Sequence, residues 1–263
     1  MDLNLINKNA LVCGSTQGIG QAAAIQLAQM GANITLVART ETKLKNTLHL
    51  LDTSQGQVHD YITADFSHPD QLQQALEAHQ AVSYTVYHIL LNNTGGPAGG
   101  AIQTANISEF RAAFEMHLIC NQILVQTVIA GMKESGYGRI INVISTSVKQ
   151  PLNGLGVSNT IRGAVANWSK TLANELGEFG ITVNNVLPGA THTARLESII
   201  ENKAIKTGES TTDITEKMQS IIPAKRFAIA EEIANAIAFL ASPAAGYING
   251  VNLPVDGGRT KSL

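Results

Sequence analysis

Short apolar segments alternate with longer helical patterns along almost the whole chain. The apolar segments predict strands at 10–14, 33–38, 57–63, 84–91, 138–145, 180–187 and 251–255. Between them, helices are predicted at 19–30, 41–51, 69–78, 106–134, 157–176 and 230–240, and the polar stretch 194–222 is expected to be less regular. Repeated strand–helix–strand units form right-handed crossovers and a parallel sheet covered on both faces. The expected fold is therefore α/β, a three-layer doubly wound parallel sheet in a single domain over 1–263.

The composition excludes several classes of function. A formal net charge of −2 leaves no basic excess for nucleic acid. No apolar run reaches the ~18 residues of a membrane span, and the first eight residues lack the basic start and apolar core of a secretory signal. Cys13 and Cys120, the only cysteines, have no spacing typical of a disulfide framework or a metal site. We expect a reduced, cytoplasmic protein without nucleic acid, membrane or metal.

A glycine-rich turn separates the first predicted strand from the first predicted helix. It comprises Gly14, Ser15, Thr16, Gln17, Gly18, Ile19 and Gly20. Glycines permit the tight turn, let the backbone approach a pyrophosphate and leave the helix N-terminus open to negative charge. A plain strand-to-helix turn does not need three spaced glycines. In this strand–turn–helix context the pattern predicts a nucleotide-binding site.

The end of the second strand indicates which nucleotide is bound. An NAD-selective protein usually places a carboxylate there to accept a hydrogen bond from the ribose 2′-hydroxyl. Here the strand ends in Ala38, Arg39 and Thr40, and no acidic residue occurs before Glu41. Because Arg39 would attract a 2′-phosphate, NADP(H) is favoured over NAD(H). The alternative is a solvated surface arginine.

Several ordered motifs together resemble the short-chain dehydrogenase/reductase family over essentially the whole chain. They are the glycine turn (with Cys13 where threonine is usual), Ala64-Asp65, Asn92-Asn93-Thr94-Gly95, Ser145, Pro188-Gly189 with Thr193, Phe239–Ser242 and Val255–Gly258. The general similarity is greatest to 3-oxoacyl-[acyl-carrier-protein] reductases. The resemblance implies an NAD(P)-binding Rossmann fold, a substrate lid at about 194–222, a small-molecule or acyl-thioester substrate and a homotetramer.

The same resemblance implies which residues bind the cofactor. Asp65 is assigned to the adenine ring, and the segment beginning at Pro188 is assigned to the nicotinamide. The full implied set is Gly14, Ser15, Thr16, Gln17, Gly18, Ile19, Gly20, Arg39, Asp65, Phe66, Asn92, Asn93, Gly95, Arg162, Pro188, Gly189, Thr191 and Thr193.

The family's catalytic tyrosine and lysine are both replaced. Counting thirteen residues from Ser145 places Ser158 at the tyrosine position and Arg162 at the lysine position, and the asparagine of the preceding helix falls on His117. A serine hydroxyl is a much weaker acid than tyrosine, whose pKa is about 10. Arg162 keeps a positive charge but cannot relay a proton. The candidate catalytic residues are thus Ser145, Ser158, Arg162 and His117.

Several alternatives remain open at this point. His117, with an ordinary pKa near neutrality, is the best remaining acid, or it is a packed helix histidine. Ser145 either polarises a carbonyl or bonds to backbone, and the 95–100 loop either shapes a pocket or simply connects two elements. The function is either NADP(H)-dependent reduction of a ketone or 3-oxoacyl thioester, or nucleotide binding by a sensor or partner subunit that has lost catalysis.

Overall fold

Seven parallel strands alternate with nine α-helices within residues 1–262, which the computed structural model describes. The strands are β1 (Asn9–Cys13), β2 (Asn33–Ala38), β3 (Asp60–Thr63), β4 (Ile89–Asn92), β5 (Gly138–Val143), β6 (Ile181–Pro188) and β7 (Asn252–Val255). The helices are α1 (Gly18–Gln29), α2 (Glu41–Leu48), α3 (Pro69–Ser83), α4 (Ile107–Phe114), α5 (Cys120–Ser135), α6 (Gly156–Leu176), α7 (Ala194–Thr207), α8 (Thr211–Ser220) and α9 (Ala230–Ala241).

The strands form one sheet in the order β3-β2-β1-β4-β5-β6-β7, and every pair is parallel. The chain runs outward in one direction through β1, β2 and β3, then returns to the other side of β1 at β4. In open α/β sheets, ligands bind outside the carboxyl ends of the strands where the order reverses. The predicted doubly wound fold is confirmed, and it directs attention to the ends of β1 and β4.

Apolar side chains fill both faces of the sheet. On β1, Val12 packs in the core beneath α1 and α9, whereas Leu11 packs in the opposite core beneath α3, α5 and α6. Successive side chains of a strand point to opposite faces, so a strand covered on both sides needs a continuous apolar run. This arrangement produces the three predicted layers.

A row of asparagines crosses the middle of the sheet. The strand register aligns Asn92, Asn142, Asn185 and Asn252 on β4, β5, β6 and β7. Asn92 Nδ2 donates to Asn142 Oδ1 at 2.8 Å, Asn142 Nδ2 to Asn185 Oδ1 at 3.0 Å, and Asn185 Nδ2 to Asn252 Oδ1 at 2.8 Å. Asn142 Nδ2 also donates to Ser169 Oγ at 3.1 Å. These bonds give the amides of the row hydrogen-bond partners inside the sheet.

The stretch 194–222 corrects one expectation, because it contains α7 and α8 rather than irregular chain. Leu196, Ile200 and Ala204 recur every four residues and therefore share one face of α7. They pack with Ile214 of α8 in an apolar cluster separate from the two main cores. Ser210 caps α8 by accepting a hydrogen bond from Asp213 N at 3.1 Å. The exposed polar faces hide this pattern in the sequence.

Two predicted strands are shorter than expected. β3 begins at Asp60 rather than 57, and β4 begins at Ile89 rather than 84. Before β3, Val58 N donates to the Asn33 side chain at 2.8 Å instead of to a neighbouring strand. Before β4, Tyr84 adopts the left-handed conformation with φ +50°, which ends α3 and is incompatible with a strand.

The long helix predicted at 106–134 is continuous but has a π-helical turn, Glu115–Ile119, between α4 and α5. Glu109 accepts a hydrogen bond from Asn106 N at 2.7 Å, as the predicted capping box requires. The stretch Ile107–Ser135 is long and apolar enough, by length and composition, to span a membrane. Leu124, Val128 and Met132 instead pack in the core beneath the sheet, which accounts for its hydropathy.

Candidate active site

The glycine turn at the end of β1 has the geometry that a phosphate group needs. Gly14 and Gly18 adopt φ angles of +58° and +54°. A Cβ on Gly14 would lie 2.5 Å from Asn93 O, and one on Gly20 would lie 2.2 Å from Gly14 O, so no larger residue fits without movement. Within residues 1–262, Gln17 makes no side-chain capping bond to α1. The first N–H groups of α1 are therefore available to a cofactor phosphate.

Neighbouring strands hold this turn in place. Asn93 Nδ2 contacts Cys13 O and Gly14 O, each at 3.3 Å. Gly14 N donates to Val37 O at 2.9 Å, and the fully buried Ser15 donates its hydroxyl to the same oxygen at 3.4 Å. The Ser15 side chain thus fixes the turn rather than facing a ligand. These bonds pre-organise the phosphate site.

Arg39 and Asp65 lie near one another at the ends of β2 and β3. Burial raises the pKa of Asp65, but hydrogen bonds from Ser67 and the nearby charge of Arg39 outweigh it and lower the pKa overall. Arg39 is exposed and forms no salt bridge in the part of the chain that the structure describes. Phe66 is buried, and its carbonyl accepts the Cys120 thiol at 3.3 Å. The Arg39 guanidinium is open to a phosphate.

A cleft of about 230 Å³ opens beside the turn, at the carboxyl ends of β4, β5 and β6. Its predicted members are Ile19 and Asn93, Arg162 from α6, and Pro188, Gly189, Thr191 and Thr193 after β6. Asn92 does not join them, because its amide lies in the asparagine row. Ser145, Ser158 and His117 do not line the cleft either, although Val143 and Ile144 do. The structure thus brings the cofactor residues together more completely than the catalytic ones.

Of the four candidate catalytic residues, Arg162 lines the cleft and Ser145 adjoins it. Ser145 directly follows Ile144, and its Oγ accepts a hydrogen bond from Ser147 N at 3.1 Å. Arg162 is 8% exposed and donates from Nη1 to Val143 O at 2.9 Å. Burial, and then the charge of Arg195, lower the pKa of Arg162 to about 10, so it stays charged at neutral pH. Ser158 is buried in the first turn of α6.

His117 does not titrate near neutrality, which corrects the expectation drawn from its ordinary pKa. It lies on the π-helical turn and is 1% exposed. Burial, and then the charges of Arg162 and Arg195, lower its pKa to about 2. The imidazole is therefore neutral at physiological pH, and its Nε2 has no hydrogen-bond partner within residues 1–262. It can accept or donate one hydrogen bond, but it is not a cationic acid.

Arg195, in the first turn of α7, is a site residue that the sequence did not indicate. Its Nη1 donates to Gly96 O at 2.8 Å and its Nη2 to Pro97 O at 3.1 Å. Farther along the same loop, Gly100 N donates to Gly154 O at 2.8 Å. The loop 95–100 is thus tied to α7 and to the start of α6, and Gly96 lines the cleft. The sequence could have indicated Arg195 by its position two residues after Thr193, which belongs to the segment assigned to the nicotinamide.

Comparisons with known proteins agree with this geometry. The family model described as "Enoyl-(Acyl carrier protein) reductase" matches residues 14–260, from the glycine turn almost to the end of the chain. The chain belongs to the short-chain dehydrogenase/reductase family. The family resemblance seen in the sequence is confirmed.

Relatives within the short-chain dehydrogenase/reductase family include reductases of different names. The NADPH-dependent reductase BacG of Bacillus subtilis is 28% identical over 256 residues, covering 97% of this chain and 99% of that one. The 3-oxoacyl-[acyl-carrier-protein] reductase FabG of Vibrio cholerae is 32% identical over 259 residues, covering 97% and 98%. The structure of L-sorbose reductase from Gluconobacter frateurii, complexed with NADPH and L-sorbose, is 31% identical with a TM-score of 0.92 and full coverage of both chains.

Proposed function

We propose that the protein is an NADPH-dependent oxidoreductase that reduces a carbonyl group in the cleft beside the glycine turn. One observation carries this proposal: the glycine turn, which can hold a phosphate, and the buried Arg162, which is positively charged, lie beside the same cleft. A sensor or partner subunit would need Arg162 only to hold the nicotinamide ribose, whereas a reductase would also use its positive charge on the substrate oxygen. BacG and L-sorbose reductase, named with NADPH, support the cofactor, as does the exposed Arg39.

Successive parts of NADPH would be held by different residues of the site. The glycine turn and the first N–H groups of α1 would hold the pyrophosphate, and Arg39 would hold the 2′-phosphate. Arg162 would contact the nicotinamide ribose, and Thr193 would lie along the nicotinamide. When bound, NADPH supplies the hydride.

Ser145 and Arg162 would act on the substrate oxygen. Within residues 1–262 the Ser145 hydroxyl accepts one hydrogen bond but donates none, so its proton is available to a carbonyl oxygen. With NADPH supplying the hydride, negative charge would develop on the substrate oxygen, and the Arg162 guanidinium would stabilise it. The alkoxide would then take a proton from water, because Ser158 is buried in α6 and is a much weaker acid than tyrosine, and His117 carries no acidic proton. The balance is ketone, NADPH and H⁺ to alcohol and NADP⁺.

A direct test is oxidation of NADPH against a panel of simple ketones, oxo acids and 3-oxoacyl thioesters. We expect at least one substrate to be reduced, and Arg162→Met to lower kcat by about 10²–10³-fold, as loss of an oxyanion-stabilising donor does. Arg162→Lys, which keeps the charge, should retain more activity than Arg162→Met. Tight NADPH binding without reduction of any compound would favour the sensor or partner subunit instead.

Assembly and location complete the proposal. Exposed apolar side chains on the α4–α5 stretch, including Ile107, Phe114 and Ile119, are available for burial between subunits. We propose a homotetramer whose subunit contacts bury these apolar side chains, and we place it in the cytoplasm. In each subunit, α7 and α8 would close over the substrate. Light scattering at micromolar concentration should give the mass of four chains, and a monomer would contradict the assembly.

A further inference from the structure

Two guanidinium groups face the cleft without an acidic partner. Arg162 and Arg195 both line it, and neither takes part in a salt bridge anywhere in residues 1–262. A Cβ placed on Gly96 would lie 2.8 Å from Arg195 Nη2 and 3.6 Å from Arg162 Nη2. The two cations therefore converge on one small volume. Arg162 is buried and Arg195 is exposed, so the repulsion between the two charges acts mainly on the buried one, and an anion bound between them would relieve it.

Both side chains keep donors free for a ligand. Arg162 is more than nine-tenths buried, yet in the described chain its only hydrogen bond is from Nη1 to Val143 O. Its Nε and Nη2 make no hydrogen bond within residues 1–262, and Nη2 lies toward Gly96, which also lines the cleft. Arg195 donates to two main-chain oxygens, Gly96 O and Pro97 O, which fix its position without neutralising its charge. Within residues 1–262, neither guanidinium is paired with an acidic group.

The start of α7 adds to the positive field. Thr193 is the N-cap residue, but its hydroxyl donates to Thr191 O at 3.3 Å and makes no capping bond to α7 within the described residues. The first N–H groups of α7 therefore stay open, and the helix dipole is positive at this end. A cation in the first turn of a helix, as at Arg195, is unfavourable by itself. It becomes favourable when an anion binds there.

Because the cofactor phosphates already have the glycine turn and Arg39, a separate anion is needed to match these charges. We propose that Arg195, beside Arg162, binds a carboxylate of the substrate, so that the substrate is an oxo acid with its carboxylate one or two carbons from the carbonyl. Carboxylate and guanidinium form bidentate, charge-assisted bonds. In such a molecule the carbonyl and carboxylate oxygens lie close together, and Arg162 can contact the first while Arg195 holds the second. This inference rests on the proposed function, since it names the substrate class of the same cleft.

The kinetic test compares 2-oxo and 3-oxo acids with their methyl esters in NADPH oxidation. The wild type should favour the acid over the ester in kcat/KM. Arg195→Gln should reduce that acid-to-ester ratio by about 10- to 100-fold, the loss of one charge-assisted pair. Arg195→Lys should recover part of it. Lys203→Gln is the matched control, because it removes one positive charge from the exposed part of α7 outside the cleft.

A binding test separates this inference from the proposed function. Oxamate, an unreactive analogue of a 2-oxo acid, is titrated calorimetrically into the NADP⁺-loaded protein, with neutral oxamide as the comparison. Oxamate should bind more tightly than oxamide, and Arg195→Gln should remove the difference. Oxamate binding without turnover of any compound would refute the reductase function but uphold the anion site. Equal turnover of acids and esters without oxamate binding would overturn the anion site. So would a loss of NADPH affinity in Arg195→Gln as large as its loss of oxamate affinity.

Discussion

Replacing Gly14 with alanine tests why the turn needs a glycine at this position. Gly14 has a φ of +58°, a region in which an alanine costs about 1–2 kcal/mol. The added Cβ would also lie 2.5 Å from Asn93 O and 2.8 Å from Asn93 Nδ2, closer than real Cβ contacts. Moving the end of β4 or the turn to relieve such overpacking costs about 1–3 kcal/mol more. Gly14→Ala should therefore lower the free energy of unfolding by about 2–5 kcal/mol.

Gly136 provides the matched control. Its φ is +62°, almost the same as that of Gly14, but a Cβ there would meet nothing within 4 Å. Gly136→Ala should therefore show only the conformational cost, about 1–2 kcal/mol. The measurement is urea unfolding of both variants without cofactor at one protein concentration. Equal destabilisation of the two would refute the idea that close approach to Asn93 is what demands a glycine at position 14.

The same two variants should also differ in their affinity for NADPH. A displaced turn no longer aligns the first N–H groups of α1 with a phosphate, so Gly14→Ala should weaken NADPH at least about tenfold, or about 1.4 kcal/mol. Gly136 ends α5 at the opposite, amino-terminal side of β5, and its variant should keep wild-type affinity. Fluorescence titration of NADPH measures both. Wild-type affinity in Gly14→Ala would show that the turn does not contact the cofactor.

Three further predictions concern charge and protonation. Arg39→Ala should lose about 1–3 kcal/mol of NADPH affinity but little NADH affinity in parallel titrations; equal wild-type affinities would contradict the assignment. Because the pKa of His117 is about 2 when folded and 6.5 in the reference state, the unfolded chain binds the extra proton. Stability should fall by about 2 kcal/mol from pH 7 to pH 5, and His117→Asn should flatten this slope in urea unfolding. Burial raises the pKa of both cysteine thiols, that of Cys120 to about 12, so a disulfide reagent should label Cys13 and Cys120 only after unfolding.

The parts of the fold that local patterns determine were predictable. The glycine turn, its strand and its helix lie within the 21 residues of Asn9–Gln29, and their spacing alone predicts the phosphate site. The continuous apolar run of β1 reflects burial on both faces of the sheet, so this strand too could be predicted from the sequence. By contrast, α7 and α8 bury only one narrow face each, and their polar residues obscured the helical spacing.

The chemistry of the site depends on contacts between distant segments, which the sequence does not show. The pKa of His117 is set by burial and by two arginines from other elements, so its ordinary value was misleading. Arg195 becomes a cleft residue only because α7 brings it to the loop at Gly96. Counting along the chain predicts Ser158 and Arg162 as candidate catalytic residues, but only the packing shows that Arg162 lines the cleft and Ser158 does not.

The asparagine row makes the sheet intolerant of misalignment. Its amides all donate in one direction, from β4 toward β7, and Asn92 Oδ1 at the start has no partner in residues 1–262. A one-residue slip of any of these strands would turn its asparagine to the opposite face and leave buried amides unpaired. Each unpaired group costs about 1–3 kcal/mol, a large fraction of a domain's net stability. The row thus selects one register for four strands at once, and that register sets the carboxyl ends on which the cleft is built.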